Sequence, residues 1–438
     1  MANFYQANKK KQIVGQIVDL NIERLDLNGC GVAQLNNKPV FINQALPKET
    51  VKVKIIEQKS KYLRGKIIEI TIASKDRVSP VCKHFRLCGG CDLQHLASSE
   101  HIVFKQKKIT ELFQRNQINQ LLPWQNSIVS SPLNYRRKAR LGVQYDKQGH
   151  VTLGFRQKGT NQLTAIKQCH VLVDSISAIF TPLKKVLDQL VTSRSIGHIE
   201  VIDTDKVTLV IRQIKKLNNT DKALWQLAEK THKWQVLIDD GEQITALTEI
   251  LPLKYKLLNE LELTFNSQDF IQINHQVNQQ MVQQAMDWLS LTATDVVLDL
   301  FCGLGNFSVS LAQKVKQVVG IEGVQLMVER AVKNATENQL DNCQFYQADL
   351  NADWLSQAWS KIHFDKVLLD PARAGALEAL EQLVKFKIPY LLYVSCDPST
   401  LARDAKYLIA HGYKIDKISL IEMFSQTKHV ETMVLFSR

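Results

Sequence analysis

The side chain best placed for covalent chemistry is the thiol of Cys396, which directly follows the apolar run at residues 390–395. Asp397 and Pro398 come next, so the thiol lies at the end of a predicted strand rather than within it. A thiolate is a strong nucleophile, and a cysteine at the mouth of a substrate cleft is a candidate for covalent catalysis. The alternative is an inert packing thiol, as most isolated cysteines are.

A base that could work with this thiol lies in the C-terminal segment FSQTKHVETMVLFSR. Glu431 comes just before the last predicted strand and could enter the same cleft as Cys396, where it would remove a proton. His429 is the competing base, since imidazole is the commonest general base in proteins. We favour Glu431 and keep His429 as the alternative.

Four other cysteines have a spacing that suggests metal binding. Cys82, Cys88 and Cys91 are close together, and Cys169 follows far downstream. The two glycines at 89–90 permit a sharp loop that would let Cys88 and Cys91 share one ion. Four thiolates suit zinc and an iron–sulfur cluster equally well, and a set of unrelated buried thiols is the third possibility.

A cofactor-binding turn is predicted in VVLDLFCGLGNFSVSLA, residues 296–312. A strand runs into a tight turn at Gly303 and Gly305, whose missing Cβ atoms would let a ligand approach the backbone, and a helix follows. Ser308 stands where a dinucleotide fingerprint has its third glycine, so the NAD pattern is not met.

Three acidic residues at the ends of successive predicted strands strengthen this interpretation. Asp299 precedes the glycine turn, Glu322 ends the next strand where it could bind ribose hydroxyls, and Asp349 ends a third, within reach of an adenine edge. Together they favour S-adenosylmethionine over NAD. The alternative is an α/β domain whose strands merely end in acidic residues.

The elements that must position these groups alternate between strands and helices from residue 266 onward, which predicts a doubly wound α/β sheet. The last two strands leave no room for a helix between them, so they should form the closing antiparallel pair found in Rossmann-like methyltransferases. The predicted strands are Val296 to Leu300, Val318 to Ile321, Cys343 to Gln347, Lys366 to Leu369, Tyr390 to Ser395, Ile415 to Ile421 and Thr432 to Phe436.

The N-terminal part has a different pattern. Residues 10–69 consist of short β-branched runs separated by turn signals, which predicts a small β-barrel. The order of its hairpins and of the segments PVFI and ALP resembles a TRAM domain, an OB-like RNA-binding barrel. A generic barrel used for protein contacts is the alternative. Residues 70–265 form a central α+β domain that holds the four cysteines, a helix from Ser98 to about Gln114 and several strands.

The charge of the chain is concentrated at its N-terminal side. The net charge is +12, but residues 1–170 carry 28 basic and 11 acidic side chains, so the remainder is net acidic. This asymmetry predicts that the N-terminal part binds a polyanion. The basic residues at 136–140 follow Tyr135, a combination that suits phosphate contacts and base stacking, although a solvated strand face would explain them equally.

The composition also excludes some classes. With 438 residues and 45% hydrophobic side chains, the chain can bury several cores. No apolar run approaches the roughly 18 residues needed to span a bilayer, and the N-terminus lacks a secretion signal. We therefore expect a cytoplasmic protein without membrane contact.

The motifs together identify a resemblance. The glycine turn, LLDPARAGA, YVSCDPSTLARD and the C-terminal FSQTKHVETMVLFSR resemble the RNA uracil-5-methyltransferases of the RumA/TrmA type. The resemblance implies that Cys396 is the nucleophile and Glu431 the base. It also implies a set of contacts to S-adenosylmethionine: Gln272, Phe301, Asn306, Glu322, Asp349 and Asp370.

The resemblance also suggests the substrate and the metal group. A TRAM barrel, a four-cysteine domain and a methyltransferase in this order resemble the family members that modify 23S rRNA at uracil 1939, whereas the tRNA members match only the catalytic part. The cysteine pattern implies a [4Fe-4S] cluster on Cys82, Cys88, Cys91 and Cys169, and we expect a monomer. Two positions depart from the family: Asp397 stands where Asn is frequent, and Ser425 where Pro is frequent. A carboxylate beside the thiol should raise the pKa of Cys396.

Other functions remain as alternatives. A uracil-5-methyltransferase of another rRNA site or of tRNA would carry the same catalytic residues. Cytosine-5-methyltransferases have a cysteine in the fourth-strand motif, which DPAR lacks, and amino-group methyltransferases have an aromatic residue where Arg373 stands. A protein of another class, an RNA-binding iron–sulfur protein without methyltransferase activity, is the last alternative.

Overall fold

A computed structural model describes residues 13–192 and 194–438. Residues 10–12, the start of the predicted barrel, lie outside the described part. The chain divides into two compact units. Within the described residues, the first unit takes 13–81, 91–104 and 426–428, and the second takes 82–90, 105–192, 194–425 and 429–438.

The first unit is built on a six-stranded sheet with the order β1-β5-β6-β4-β3-β2. All neighbours are antiparallel except β4 and β6, which are parallel. Alternate residues of β5, such as Val51, Val53 and Ile55, are fully buried in the core of this unit, as expected for strands with one apolar face. The strands are β1 (Ile17–Asn21), β2 (Arg24–Leu25), β3 (Gly31–Leu35), β4 (Lys38–Ile42), β5 (Thr50–Gln58) and β6 (Leu63–Ile72).

A long helix follows, α1 (Ser98–Arg115), within one residue of the predicted end. The next sheet along the chain belongs to the second unit. It is mixed and seven-stranded, in the order β13-β12-β11-β10-β7-β8-β9, and packs on three helices. Its elements are β7 (Lys138–Tyr145), β8 (Val151–Arg156), β9 (Leu163–Ala165), α2 (Asp174–Ser177), α3 (Phe180–Asp188), β10 (Ile196–Asp203), β11 (Val207–Gln213), α4 (Asn219–His232), β12 (Gln235–Asp239) and β13 (Ile244–Ala246).

A hairpin leads into the last sheet. Strands β14 (Leu253–Lys256) and β15 (Glu262–Phe265) are antiparallel, and Tyr255 and Phe265 pack in a core with Leu304 and Val309. The hairpin thereby packs against the glycine-turn region.

The C-terminal sheet has seven strands in the order β18-β17-β16-β19-β20-β22-β21. Six strands run in the same direction, and β22 runs antiparallel to its neighbours β20 and β21. The predicted doubly wound sheet, whose last two strands β21 and β22 form an antiparallel pair, is confirmed. The elements are α5 (His275–Leu289), β16 (Val296–Leu300), α6 (Ser308–Ala312), β17 (Gln317–Glu322), α7 (Gln325–Glu337), β18 (Cys343–Gln347), a 3₁₀ turn (Ala358–Lys361), β19 (Lys366–Leu369), α8 (Leu377–Phe386), β20 (Tyr390–Ser395), α9 (Pro398–Ala410), β21 (Lys414–Ile421) and β22 (Glu431–Ser437).

The central strands of this sheet are continuous apolar runs because both of their faces are covered by helices. Val367, Leu368 and Leu369 of β19 are fully buried, as are Leu391 to Val394 of β20. None of the helices in the described part of the chain has the length and apolar character needed to cross a membrane.

Candidate active site

Cys396 directly follows β20 at the carboxyl end of the parallel sheet, where such folds bind substrates. The Cys396 side chain is half-buried, and its pKa is raised to about 11. Burial is the largest cause, and the carboxylates of Glu431 and Asp370 add to it, whereas Arg373 lowers the pKa. A raised pKa of Cys396 was expected from the sequence, but the expected cause was Asp397, which is not among the main groups that raise it. The Asp397 carboxylate instead caps helix α9 by accepting the backbone N–H groups of residues 399 and 400.

Glu431 is the first residue of β22, not the residue before it as the sequence suggested. Ser395 pairs with Thr432 across the antiparallel β20–β22 pair, so Cys396 and Glu431 come next on the two strands. Glu431 is almost fully buried, and its Oε2 has no hydrogen-bond partner among the described residues. Burial and the charge of Asp370 raise its pKa, whereas Lys105 lowers it. The site thus contains a buried carboxylate beside a thiol.

Asp370 directly follows β19, the strand next to β20, and burial raises its pKa to about 7. The loop that it begins is held by Asp404 of α9. Asp404 Oδ2 accepts hydrogen bonds from Ala376 N (2.8 Å) and from the Tyr393 hydroxyl (2.7 Å), and Oδ1 accepts one from Arg403 Nε (2.7 Å). This network anchors the segment DPARAGA beside Cys396.

The glycine turn lies after β16 as predicted, and its backbone is in the left-handed region at Phe301, Gly303 and Gly305 (φ of 62°, 56° and 93°). A Cβ atom at Gly305 would lie 3.3 Å from Val309 Cγ2, so the helix packs closely there. Gly303 N donates to Glu322 Oε2 (3.1 Å), which ties the turn to the end of β17.

Asp299 lies inside β16 and is buried, with one oxygen bonded to Ser308 Oγ at 2.5 Å. Its other oxygen has no partner among the described residues, and burial raises its pKa to about 7. Ser308 replaces the third glycine of the dinucleotide pattern, and in the structure its hydroxyl is the hydrogen-bond partner of Asp299. Asp349 lies two residues beyond β18 and is exposed, and its carboxylate accepts from Asn351 N (2.9 Å).

The two remaining cofactor candidates belong to one group of hydrogen-bonded polar side chains. Asn306 exchanges two hydrogen bonds with Asn278 of α5 (2.9 and 3.0 Å) and accepts one from the Tyr255 hydroxyl (3.0 Å). Gln272 is buried, and its carbonyl accepts a hydrogen bond from Arg137 Nε (3.0 Å). The Arg137 guanidinium also lies over the Tyr255 ring at 4.3 Å, so the group is continuous from Gln272 to Asn306.

Comparisons with known proteins agree with this arrangement. Residues 98–438 match the family model described as tRNA (Uracil-5-)-methyltransferase, and residues 11–68 match the TRAM domain. The chain belongs to the tRNA (uracil-5-)-methyltransferase family. It therefore has an N-terminal TRAM domain and an S-adenosylmethionine-dependent methyltransferase domain, which confirms the resemblance and the preference for this cofactor over NAD.

Curated relatives of this methyltransferase cover its whole length. The 23S rRNA (uracil(1939)-C(5))-methyltransferase RlmD of Colwellia psychrerythraea is 54% identical, with 100% of this chain and 99% of that protein covered. The protein of the same name from Aliivibrio fischeri is 41% identical, with both chains fully covered. A solved Pyrococcus abyssi tRNA (uracil-54, C5)-methyltransferase, bound to S-adenosyl-L-homocysteine, matches with a TM-score of 0.72 at 20% identity, over 96% of this chain and 100% of that one. This last likeness shows the fold alone.

The basic run of the methyltransferase is not the exposed RNA surface that its sequence suggested. Tyr135 is buried and donates its hydroxyl hydrogen bond to the Ser425 carbonyl (2.8 Å), so its ring is not free to stack on a base. Arg137 is also buried, and Lys138 donates to the carbonyls of residues 267 and 269. The prediction of a solvated or RNA-binding face was therefore wrong for Tyr135 and Arg137, whereas Arg140 at the end of the run is exposed.

His429, the alternative base of this methyltransferase, is exposed, and its ring lies edge-on to Phe424 at 5.7 Å. Glu431 is the side chain with the largest effect on the raised pKa of Cys396. Lys105 was not predicted from the sequence as a site residue, although its position within α1 is unusual for a charged side chain. It lies on the buried face of α1, four residues from His101 and four from Ile109, where a charged residue is unusual.

The four cysteines of the methyltransferase are divided between the two units, with Cys91 in the first and the other three in the second. Burial raises the pKa of Cys169, and the thiols of Cys88 and Cys82 raise it further. Burial likewise raises the pKa of Cys88, against a hydrogen bond from Gly90 N at 3.4 Å, and the Cys82 thiol raises it too. Within the described residues, no three His, Cys, Asp or Glu side chains are arranged as a metal-binding group.

Proposed function

We propose that this methyltransferase transfers a methyl group from S-adenosylmethionine to C5 of a uracil in 23S rRNA, the base numbered 1939 in its curated relatives. The observation that carries the proposal is the placement of Cys396 and Glu431 on neighbouring strand ends, beside the acids of the cofactor-binding sheet. The full-length relatives at 54% and 41% identity support the choice of RNA.

The chemistry explains why a thiol and a carboxylate are needed together. C5 of uracil is too electron-poor to attack a methyl group. Addition of the Cys396 thiolate to C6 gives an enolate whose C5 is nucleophilic. S-adenosylmethionine, when bound, supplies the methyl group from its sulfonium. Glu431 then takes the C5 proton, the electron pair forms the C5–C6 double bond, and the C6–S bond breaks to release the thiolate.

The raised pKa of Cys396 has a consequence for this mechanism. A thiol with a pKa of about 11 is almost fully protonated near neutral pH, which protects it in the enzyme without substrate. Because Cys396 is only half-buried, its proton can leave to water before the thiolate adds to the ring. Arg373 is the neighbouring cation that lowers this pKa, so we propose that it helps to form the thiolate.

For the cofactor, we propose the residues that the family resemblance implied. Glu322 ends β17 and holds the glycine turn through Gly303 N, a position that suits a ribose. Phe301 adopts a left-handed backbone at the start of that turn, and Asp370 ends the adjacent strand. The remaining proposed contacts are Gln272, Asn306 and Asp349.

We further propose that Cys82, Cys88, Cys91 and Cys169 hold a [4Fe-4S] cluster. The chemistry of the donors supports it: burial and neighbouring thiols raise the pKa of Cys88 and Cys169, and a bound cation would reverse this effect and stabilise the thiolates. The test is elemental analysis after anaerobic purification, which should give about four iron atoms and as many sulfides per chain. Zinc in place of iron, or an unchanged iron content in Cys88→Ser, would contradict the proposal.

The proposed reaction is tested with labelled S-adenosylmethionine and unmodified transcripts of 23S rRNA and tRNA, followed by mapping of the methylated base. We expect label at one uracil of the 23S transcript and none in tRNA. Label in tRNA or at another rRNA site would assign a different substrate to the same chemistry. The absence of label in every RNA, with S-adenosylmethionine bound, would favour an RNA-binding protein without activity.

A further inference from the structure

One buried cation of the second unit lies close to the proposed active site but has no role in the mechanism above. Lys105 of α1 is fully buried. Its Nζ donates a hydrogen bond to Glu422 Oε1 at 2.7 Å and a longer one to the Phe424 carbonyl at 3.4 Å. A buried ammonium is costly unless a partner offsets its lost hydration, and Glu422 is that partner.

The register of the sheet brings this ion pair to the catalytic strand. Ile421, the last residue of β21, pairs with Glu431, the first residue of β22, and Glu422 is the residue that follows Ile421. Glu422 and Glu431 are both buried, and each has an Oε2 atom without a hydrogen-bond partner among the described residues. Lys105 bonds directly to the first of these carboxyl groups, and its charge also lowers the pKa of the second.

We propose that Lys105 is a positioning residue for proton abstraction: its ammonium favours the carboxylate form of Glu431, and Glu422, by pairing with that ammonium, limits this effect. The inference rests on the proposed function and deepens it. It concerns one step, in which the C5–H bond breaks, the proton moves to Glu431, the electron pair forms the C5–C6 double bond and the thiolate leaves.

The charged groups around Glu431 come from every neighbouring element. Asp370 at the end of β19 disfavours its ionisation. The Cys396 thiol follows β20, and Glu422, the hydrogen-bonded partner of Lys105, follows β21. Lys105 from α1 is the group that favours ionisation. Because a base must be unprotonated to accept a proton, the balance of these charges sets the pH at which the step begins.

The test measures the decay of the methylated RNA–protein adduct in a single turnover, as a function of pH. Lys105→Met removes the favourable charge, so the pH at which decay begins should rise. In the pH range where the decay rate still rises with pH, the acidic limb of the profile, the rate at a fixed pH should fall about tenfold for each pH unit by which this limb shifts upward. Glu422→Gln removes an unfavourable charge while keeping a hydrogen-bond acceptor for Lys105. It should move the same limb to lower pH.

The two variants should shift the pH at which adduct decay begins in opposite directions, and this distinguishes a role in proton abstraction from a purely structural role of the ion pair. If the pair only stabilised the fold, both variants would lose activity in the same way at every pH, and that result would overturn the proposal. Lys105→Arg is the matched control, which should keep the wild-type limb. Thermal unfolding and S-adenosylmethionine binding show whether Lys105→Met folds. If it does not fold, Glu422→Gln alone is the test, and a pH of onset for adduct decay that is unchanged or higher than in the wild type contradicts the inference. Absence of any adduct in the wild-type protein would instead contradict the proposed function.

Discussion

Cys396 and Glu431 occupy facing positions at the end of one antiparallel strand pair, one residue beyond the pairing of Ser395 with Thr432. Directly opposite residues on such strands have Cβ atoms about 4.5–5.5 Å apart. The nucleophile can thus reach C6 of the uracil and the base can reach the proton on C5, although 34 residues separate Cys396 from Glu431 in the chain. The insertion of β22 between β20 and β21 produces this relationship.

The first prediction concerns the division of labour between these two residues. Cys396→Ser should abolish both the covalent adduct and methyl transfer. Glu431→Gln should still transfer the methyl group but slow release of the product by about 10²–10⁴-fold, because no base removes the C5 proton. Denaturing gels of single-turnover reactions should show a stable RNA–protein band in this variant. Wild-type protein with 5-fluorouridine RNA is the positive control, and rapid product release by Glu431→Gln would contradict the assignment.

The second prediction concerns the thiol without RNA. Because the pKa of Cys396 is raised to about 11, its alkylation by iodoacetamide should keep rising with pH, without a plateau up to about pH 10. Glu431→Gln should lower this pKa and speed alkylation near pH 8, since one negative neighbour is lost. Asp397→Asn should leave the pKa unchanged, because Asp397 is occupied as a helix cap. Peptide mapping by mass spectrometry separates Cys396 from the other thiols. A plateau below the ordinary pKa of 9.0 would contradict the prediction.

The third prediction links cofactor binding to pH. Burial raises the pKa of Asp299 and of Asp370 to about 7, from an ordinary value of 3.8. Their protonated forms are therefore favoured in the folded apoprotein, and the stability they contribute is present below about pH 4 and is lost as the pH rises through about 7. A cationic sulfonium favours the carboxylates, so affinity for S-adenosylmethionine should increase between about pH 6 and pH 8 with release of protons.

Calorimetry in buffers of different ionisation enthalpy measures this proton release. Asp370→Asn should remove part of the release and flatten the pH dependence, while Asp299 retains the rest. An affinity that does not change over this range in the wild-type protein would show that neither acid titrates on binding.

The fourth prediction concerns stability. Lys366 Nζ at the start of β19 donates to Asp295 Oδ2 (2.6 Å) and to the Ser290 carbonyl (2.8 Å), and both charged side chains are buried. Lys366→Met leaves Asp295 buried without its cation and should lower the free energy of unfolding by about 3–5 kcal/mol in denaturant titrations. The double variant Lys366→Met with Asp295→Asn should recover part of this loss. A single variant as stable as the wild type would show that the buried pair contributes nothing to folding.

The sequence by itself determined the local elements of the methyltransferase domain. The run Val296–Leu300 was predicted with the bounds that the structure has, because a buried parallel strand is a continuous apolar segment bounded by turns. The edge strand Cys343–Gln347 was also predicted with its observed bounds, although none of its residues is fully buried. The same local pattern placed Cys396 at a strand end. The motifs around it identified the family, since they are short and contiguous.

Only the tertiary structure decided which groups surround that thiol. Lys105 lies 317 residues before its partner Glu422, and no local pattern relates the two. The run after Tyr135 looked like an exposed basic face, yet Tyr135 and Arg137 are buried with their own hydrogen-bond partners. The physical reason is that periodicity reports whether a segment has an apolar face, whereas strand order and side-chain charge pairing depend on packing among distant segments.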